Sequence, residues 1–164
     1  MRDDRSQFEW HIMRHIDAAY NVANWMVRDP HDAEDVVQNS LVNAWKSFRQ
    51  FRGEDGKPWL LKIVRNGCLQ FLAKRKNAPV PLESDLVDSR LVDAEVLRLF
   101  DAEQVRSAIM KLPDVHREVL VLREFEEMSY TEIGEVVGVP VGTVMSRLSR
   151  ARAGLADLLT GVLP

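Results

Sequence analysis

His11 and His15 are one helical turn apart, the spacing at which two imidazoles can hold a single metal ion. Neither a second pair nor an acidic partner accompanies them, and the same spacing suits a surface or packing role. Asp32, Glu34 and Asp35 cluster as magnesium ligands do, yet acids at the start of a helix are favoured by its dipole alone. Cys68 lies on an apolar stripe and reads as core rather than nucleophile. Glycine-rich phosphate loops, hydrolase elbows and paired carboxylates do not stand out. The sequence therefore predicts no metal, no cofactor and no enzyme activity.

The chemistry that remains is binding. Residues 59–76 carry Lys62, Arg65, Lys74, Arg75 and Lys76 with no acid, interleaved with Trp59 and Phe71. Cations suit phosphates and exposed rings can stack on unpaired bases, although an amphipathic helix with buried rings fits the same pattern. The sharper signal is Ser129-Tyr130-Thr131-Glu132-Ile133-Gly134, followed by Gly138-Val139-Pro140-Val141-Gly142-Thr143-Val144-Met145-Ser146-Arg147-Leu148. Its spacing predicts a helix from about Tyr130, a turn at Gly138, and a second helix starting between Pro140 and Gly142. That is a helix-turn-helix, whose second helix lies in the DNA major groove. Thr143, Ser146, Arg147 and Arg150 fall off the Val144/Leu148 stripe, where they can reach bases and phosphates. A plain helical hairpin with a solvated face is the alternative.

Helices must position these groups. Phe8, Ile12, Ile16, Ala19, Tyr20 and Ala23 predict a helix over 8–27. Ala33, Val36, Val37, Leu41, Ala44, Trp45 and Phe48 predict another over 33–48, capped by Asp29 or Asp32 with Pro30 in its first turn. A third is expected from about Trp59 to Lys76, after a Gly53–Pro58 loop. Prolines at 79 and 81 then stop the chain's helical run, and Glu83, Asp85 and Asp88 make an acidic linker over 77–92. A second lobe begins near Asp93. The fold class is all-α, in two small helical lobes: 6–76 and 93–164.

Composition narrows the partners. The 22 basic and 25 acidic residues give a net charge of −3, which argues against a histone-like polycation. A single cysteine excludes an internal disulfide or a multi-cysteine zinc site. No apolar run spans a bilayer, and Met1-Arg2-Asp3-Asp4-Arg5 lacks the apolar stretch of a signal peptide. A cytoplasmic protein with no membrane contact of its own is expected.

Several of these segments together resemble a bacterial extracytoplasmic-function (ECF) sigma factor, in order and along nearly the whole chain. Asp32-Ala33-Glu34-Asp35-Val36-Val37-Gln38 through Ala44-Trp45 resembles the core-polymerase-binding helix of region two. Phe51-Arg52-Gly53, Trp59-Leu60 and Ile63-Val64-Arg65-Asn66 resemble the segment that reads and opens the −10 element. Leu112-Pro113 with Arg117-Glu118-Val119-Leu120 resembles the start of region four, and Ser129 through Arg152 its −35-reading helix-turn-helix. At Met145 the chain departs from the basic residue common in the family.

The resemblance implies that core RNA polymerase contacts Asp32, Asp35, Gln38, Asn39, Val42 and Trp45, the last fitting either a core or a contact role. It implies −10 contacts from Phe51, Arg52, Trp59, Lys62, Arg65, Asn66, Gln70, Lys74 and Arg75. It implies −35 contacts from Val141, Gly142, Thr143, Ser146, Arg147 and Arg150. Promoter DNA, core RNA polymerase and an anti-sigma factor are the implied partners. A conventional helix-turn-helix regulator acting without sigma activity is the alternative, and a protein-binding adaptor a more distant one.

Overall fold

The computed structural model describes residues 2–76 and 100–161, so the acidic linker expected at 77–92 and the start of the second lobe near Asp93 lie outside the described residues. The first lobe holds α1 (Arg2–His11), a 3-10 turn (Met13–His15), α2 (Ile16–Val27), α3 (Pro30–Ser47), a second 3-10 turn (Phe48–Gln50) and α4 (Lys57–Lys76). The second holds α5 (Ala102–Met110), α6 (Asp114–Glu124), α7 (Tyr130–Val137) and α8 (Val141–Thr160). Every described element is helical, as the periodicity requires.

The single helix expected over 8–27 is broken. His15 leaves α-helical geometry at φ −101° and ψ 15°, and the 3-10 turn separates α1 from α2. The loop before α4 packs into this break. His11 Nδ1 lies 3.1 Å from the Glu54 carbonyl, and His15 Nε2 lies 3.2 Å from Asp55 Oδ1. The two imidazoles thus face separate partners rather than a common metal. Burial holds the His15 pKa below the ordinary histidine value, against the opposing pull of Asp55.

Helix α3 starts where its cap dictates, with Asp29 accepting from the amides of His31 at 2.9 Å and Asp32 at 3.1 Å. Helix α4 starts at Lys57, two residues before the expected Trp59. Asp55 Oδ1 accepts from the Lys57 amide at 3.0 Å, and Pro58 is tolerated because a first-turn amide has no partner within the helix anyway. The helix-turn-helix matches its expectation closely. Ser129 and Glu132 form a reciprocal capping box, and Gly138 closes α7 in the left-handed region at φ 74°. At Gly134 any Cβ would stand 2.8 Å from the Val139 carbonyl, so the turn needs glycine there.

The lobes do not stand apart. Ile12, Val37, Leu60, Leu61 and Val64 of the first lobe join Val119, Leu122, Ile133, Val144 and Leu148 of the second in one contiguous apolar core. Helix α4 is central to it, packing on α2 and α3 within its lobe and on α7 across the boundary. A smaller cluster, with Ile109, Leu112, Leu120, Leu155 and Leu159, completes the second lobe and is packed by Trp25 of α2.

The packed break between α1 and α2 yields a first prediction. A Cβ on Gly56 would fall 2.1 Å from the His11 carbonyl and 2.6 Å from Ile12 Cδ1. Gly56→Ala is expected to cost about 2 kcal/mol and to lower the thermal midpoint by about 5 °C. An unchanged melting curve would show that the loop does not hold this break.

Candidate nucleic-acid interface

Helix α3 buries Ala33, Val36, Val37, Ser40 and Ala44 and leaves a stripe of Asp35, Gln38, Asn39, Val42 and Trp45 exposed. Val42 is 52% and Trp45 47% exposed, so two apolar groups stand at the end of a polar, acidic stripe. Trp45 is not core: it stands half-exposed, in a T-shaped contact with Phe8 at 5.1 Å between ring centres. Asp32, at the start of this stripe, is half-buried and paired with Arg75 at 2.7 Å.

The basic helix α4 is divided between duties. Lys62, Asn66, Gln70 and Lys74 form an exposed stripe at helical spacing. Arg75 crosses to α3 through Asp32 and lies over the Phe71 ring at 5.8 Å. Arg65 turns the other way. Its Nε and Nη2 donate to the two carboxylate oxygens of Glu118 on α6, at 2.7 and 3.0 Å. Of the −10 residues expected from the sequence, Arg65 and Arg75 are therefore tied to carboxylates within the protein. Phe51 and Trp59 are half-buried, 5.3 Å apart between ring centres, in an aromatic cluster with Phe48 and Phe8. Arg52 is exposed and donates to the Arg49 and Phe51 carbonyls of its own loop, at 2.6 and 2.9 Å.

The Arg65–Glu118 pair belongs to a wider seam between the lobes. Lys57 Nζ lies 3.1 Å from Glu126 Oε2 and donates to the Glu126 carbonyl at 2.8 Å. Asn21 Nδ2 donates to the other Glu126 oxygen at 2.8 Å, and Arg28 to the Met110 carbonyl at 3.1 Å. Trp25 and Phe125 stack across the seam at 5.5 Å. Sequence reasoning missed Glu118 and Glu126 as partners of the basic helix. The available signal was Arg117-Glu118 standing before the apolar run Val119–Leu122, because charges buried in such a run must be paired. Arg117 is indeed buried, donating to the Met110 and Leu112 carbonyls and to Asp114.

Helix α8 buries Val144 and Leu148 and presents Val141, Gly142 and Met145 to solvent. Thr143, Ser146, Arg147 and Arg150 are half-buried at its flanks. Ser146 Oγ donates to the Thr143 carbonyl at 3.0 Å.

One helix with an acidic and apolar stripe, one with a basic stripe, and a helix-turn-helix thus share a single chain. The sequence pattern of Sigma-70 region 2 matches residues 11–78, and that of Sigma-70 region 4 matches residues 102–155. The chain is 34% identical over 158 residues to the ECF RNA polymerase sigma factor SigM of Mycobacterium tuberculosis, covering 95% of this chain and 79% of that protein. The chain belongs to the ECF sigma factor family. It is also 31% identical to the RNA polymerase sigma-H factor of Pseudomonas aeruginosa, over 99% of this chain and 91% of the relative. Among solved structures it resembles the sigma factor RpoE in complex with the anti-sigma factor NepR from Bartonella quintana (TM-score 0.74, 27% identity, 96% of this chain and 99% of that one). CnrH in complex with the cytosolic domain of CnrY is similar too (TM-score 0.70, 29% identity, 96% and 90%). As a sigma factor the protein binds core RNA polymerase and promoter DNA and directs transcription initiation, which sets aside the conventional-regulator reading. No described helix is long and apolar enough to cross a membrane.

Two measurements probe the seam and the core beneath it. Arg65 and Glu118 are 16% and 6% exposed, so removing one partner strands a charge in the seam. Glu118→Ala is expected to lose about 3 kcal/mol in urea unfolding, while an Arg65→Met/Glu118→Leu double variant recovers most of it. Equal losses in both would place the stability elsewhere than in the charge pairing. Burial, reinforced by nearby Glu118, pushes the Cys68 thiol up to about 12. Native protein at pH 8 is therefore expected to alkylate at Cys68 at least about a hundredfold slower than unfolded chain. Because the unfolded thiol ionises first, this group's contribution to stability is complete below about pH 8.5 and declines as pH rises toward the folded value.

Proposed function

We propose that this sigma factor works through three exposed faces carried by residues 6–76 and 93–164, with 77–92 as the connecting linker. The α3 stripe of Asp35, Gln38, Asn39, Val42 and Trp45, with Asp32 at its start, meets a basic-rich helix of core RNA polymerase. Its carboxylates supply charge complementarity, and Val42 and Trp45 supply the apolar anchor common at interface centres. Helix α4 holds the −10 region. Lys62 and Lys74 contact phosphates, and the amides of Asn66 and Gln70 are suited to base edges. Phe51 and Trp59 offset part of the cost of unstacking a melted base, which is a few kcal/mol. Arg52 and Arg75 flank that surface. Helix α8 reads the −35 element through Val141, Gly142, Thr143, Ser146, Arg147 and Arg150.

The single observation that carries this reading is that the exposed stripes of α3 and α4 and the helix-turn-helix coexist in one chain matching both sigma regions. Arg65 joins the −10 surface when the lobes part and Glu118 releases it. An anti-sigma factor, as NepR is named in the similar RpoE complex, is the partner that would hold the protein inactive by covering the polymerase-binding surfaces. The protein acts in the cytoplasm and performs no catalysis of its own.

Runoff transcription with purified core RNA polymerase on a promoter library tests the assignment. Transcripts from defined start sites are expected only when the protein is present. Arg147→Ala is expected to lower −35-dependent output by about fivefold or more, the scale of one lost arginine–guanine contact. Tight sequence-specific duplex binding without any affinity for polymerase would overturn the reading.

A further inference from the structure

The base-reading end of α8 is apolar where it is most exposed. Val141 and Met145 are 40% and 53% exposed, the two large apolar side chains of this helix that face solvent. They stand four residues apart, one above the other on one face, with Gly142 exposed beside them. Val144 and Leu148, on the adjacent side of the helix, are anchored in the core, so the helix cannot rotate to hide them. The polar neighbours sit further back. Thr143 and Ser146 are half-buried, and the Ser146 hydroxyl is already bound to the Thr143 carbonyl. In a helix-turn-helix the N-terminal residues of the second helix meet base edges. The apolar group that a base edge offers in the major groove is the C5 methyl of thymine.

We propose that Val141 and Met145 contact thymine methyl groups in the −35 element, so that Met145 sets a requirement for a T·A pair beneath it. This rests on α8 being the −35-reading helix. Exposed apolar side chains at that position then gain a partner on DNA, whereas a guanidinium would seek guanine. Arg147 and Arg150, half-buried on other sides of the helix, hold it in register on the backbone.

The test uses holoenzyme assembled from core RNA polymerase and the full chain. A randomised duplex library is first selected for holoenzyme binding, and each thymine of the enriched upstream element is then replaced singly by deoxyuridine, which removes only the methyl group. At one or two positions deoxyuridine is expected to weaken binding roughly fourfold, the worth of one methyl group withdrawn from water. Holoenzyme carrying Met145→Ala is expected to bind the thymine and deoxyuridine probes equally at its position. Wild-type binding indifferent to deoxyuridine throughout an enriched −35 element overturns the proposal while leaving α8 as the reading helix. Selection that enriches no upstream element instead removes the assignment of α8 itself. If Met145→Ala weakens binding to core polymerase in the absence of DNA, the patch is a protein-docking surface and the proposal fails.

Discussion

Helix α4 has too little circumference for everything asked of it, and the rest of the structure follows from how that circumference is divided. Leu60, Leu61, Val64 and Cys68 take one side into the core. Arg65 takes a second into the seam with Glu118, and Arg75 a third onto Asp32. What stays exposed at helical spacing is the stripe from Lys62 through Asn66 and Gln70 to Lys74. A helix built only to bind phosphates would expose all of its cations. Here the same residues also join two lobes.

That sharing explains the composition of the seam. A purely apolar boundary between the lobes would make a permanent core, since burial of apolar area has no mechanism of release other than unfolding or a competing surface. Charges placed within the boundary behave differently. Arg65 is matched to Glu118 and Lys57 to Glu126, so each pair is specific to this arrangement of the lobes. The polar seam thereby adds specificity to a boundary that is otherwise apolar.

The α3 stripe and the α8 tip differ in surface chemistry. The α3 stripe is acidic with an apolar end at Val42 and Trp45, suited to a basic protein surface. The α8 tip is apolar with arginines at its flanks, suited to a groove lined by methyl groups and phosphates. A net charge near zero is the sum of these local asymmetries, which is why the total alone says little about the partners.

Local rules were legible in the sequence because their causes are local. The Asp29 cap, the Ser129–Glu132 capping box, the left-handed Gly138 and the buried Val144/Leu148 stripe each depend on residues within a few positions of one another. So all-α architecture and the helix-turn-helix could be read directly, whereas the α3 contact residues came only from the family resemblance. Tertiary structure alone decided which cations face solvent. Arg65 and Glu118 are 53 residues apart, and nothing in the periodicity of either helix names the other as its partner. It also decided that α1 and α2 are separate, because the loop that packs into their break arrives from residues 54–56. Trp45 completes the contrast. Its apolar side chain fits a core by periodicity, but it stands half-exposed, with Phe8 packed against it in a T-shaped contact. Helical spacing specifies the direction in which a side chain points, whereas the depth of its burial depends on what a distant segment places above it.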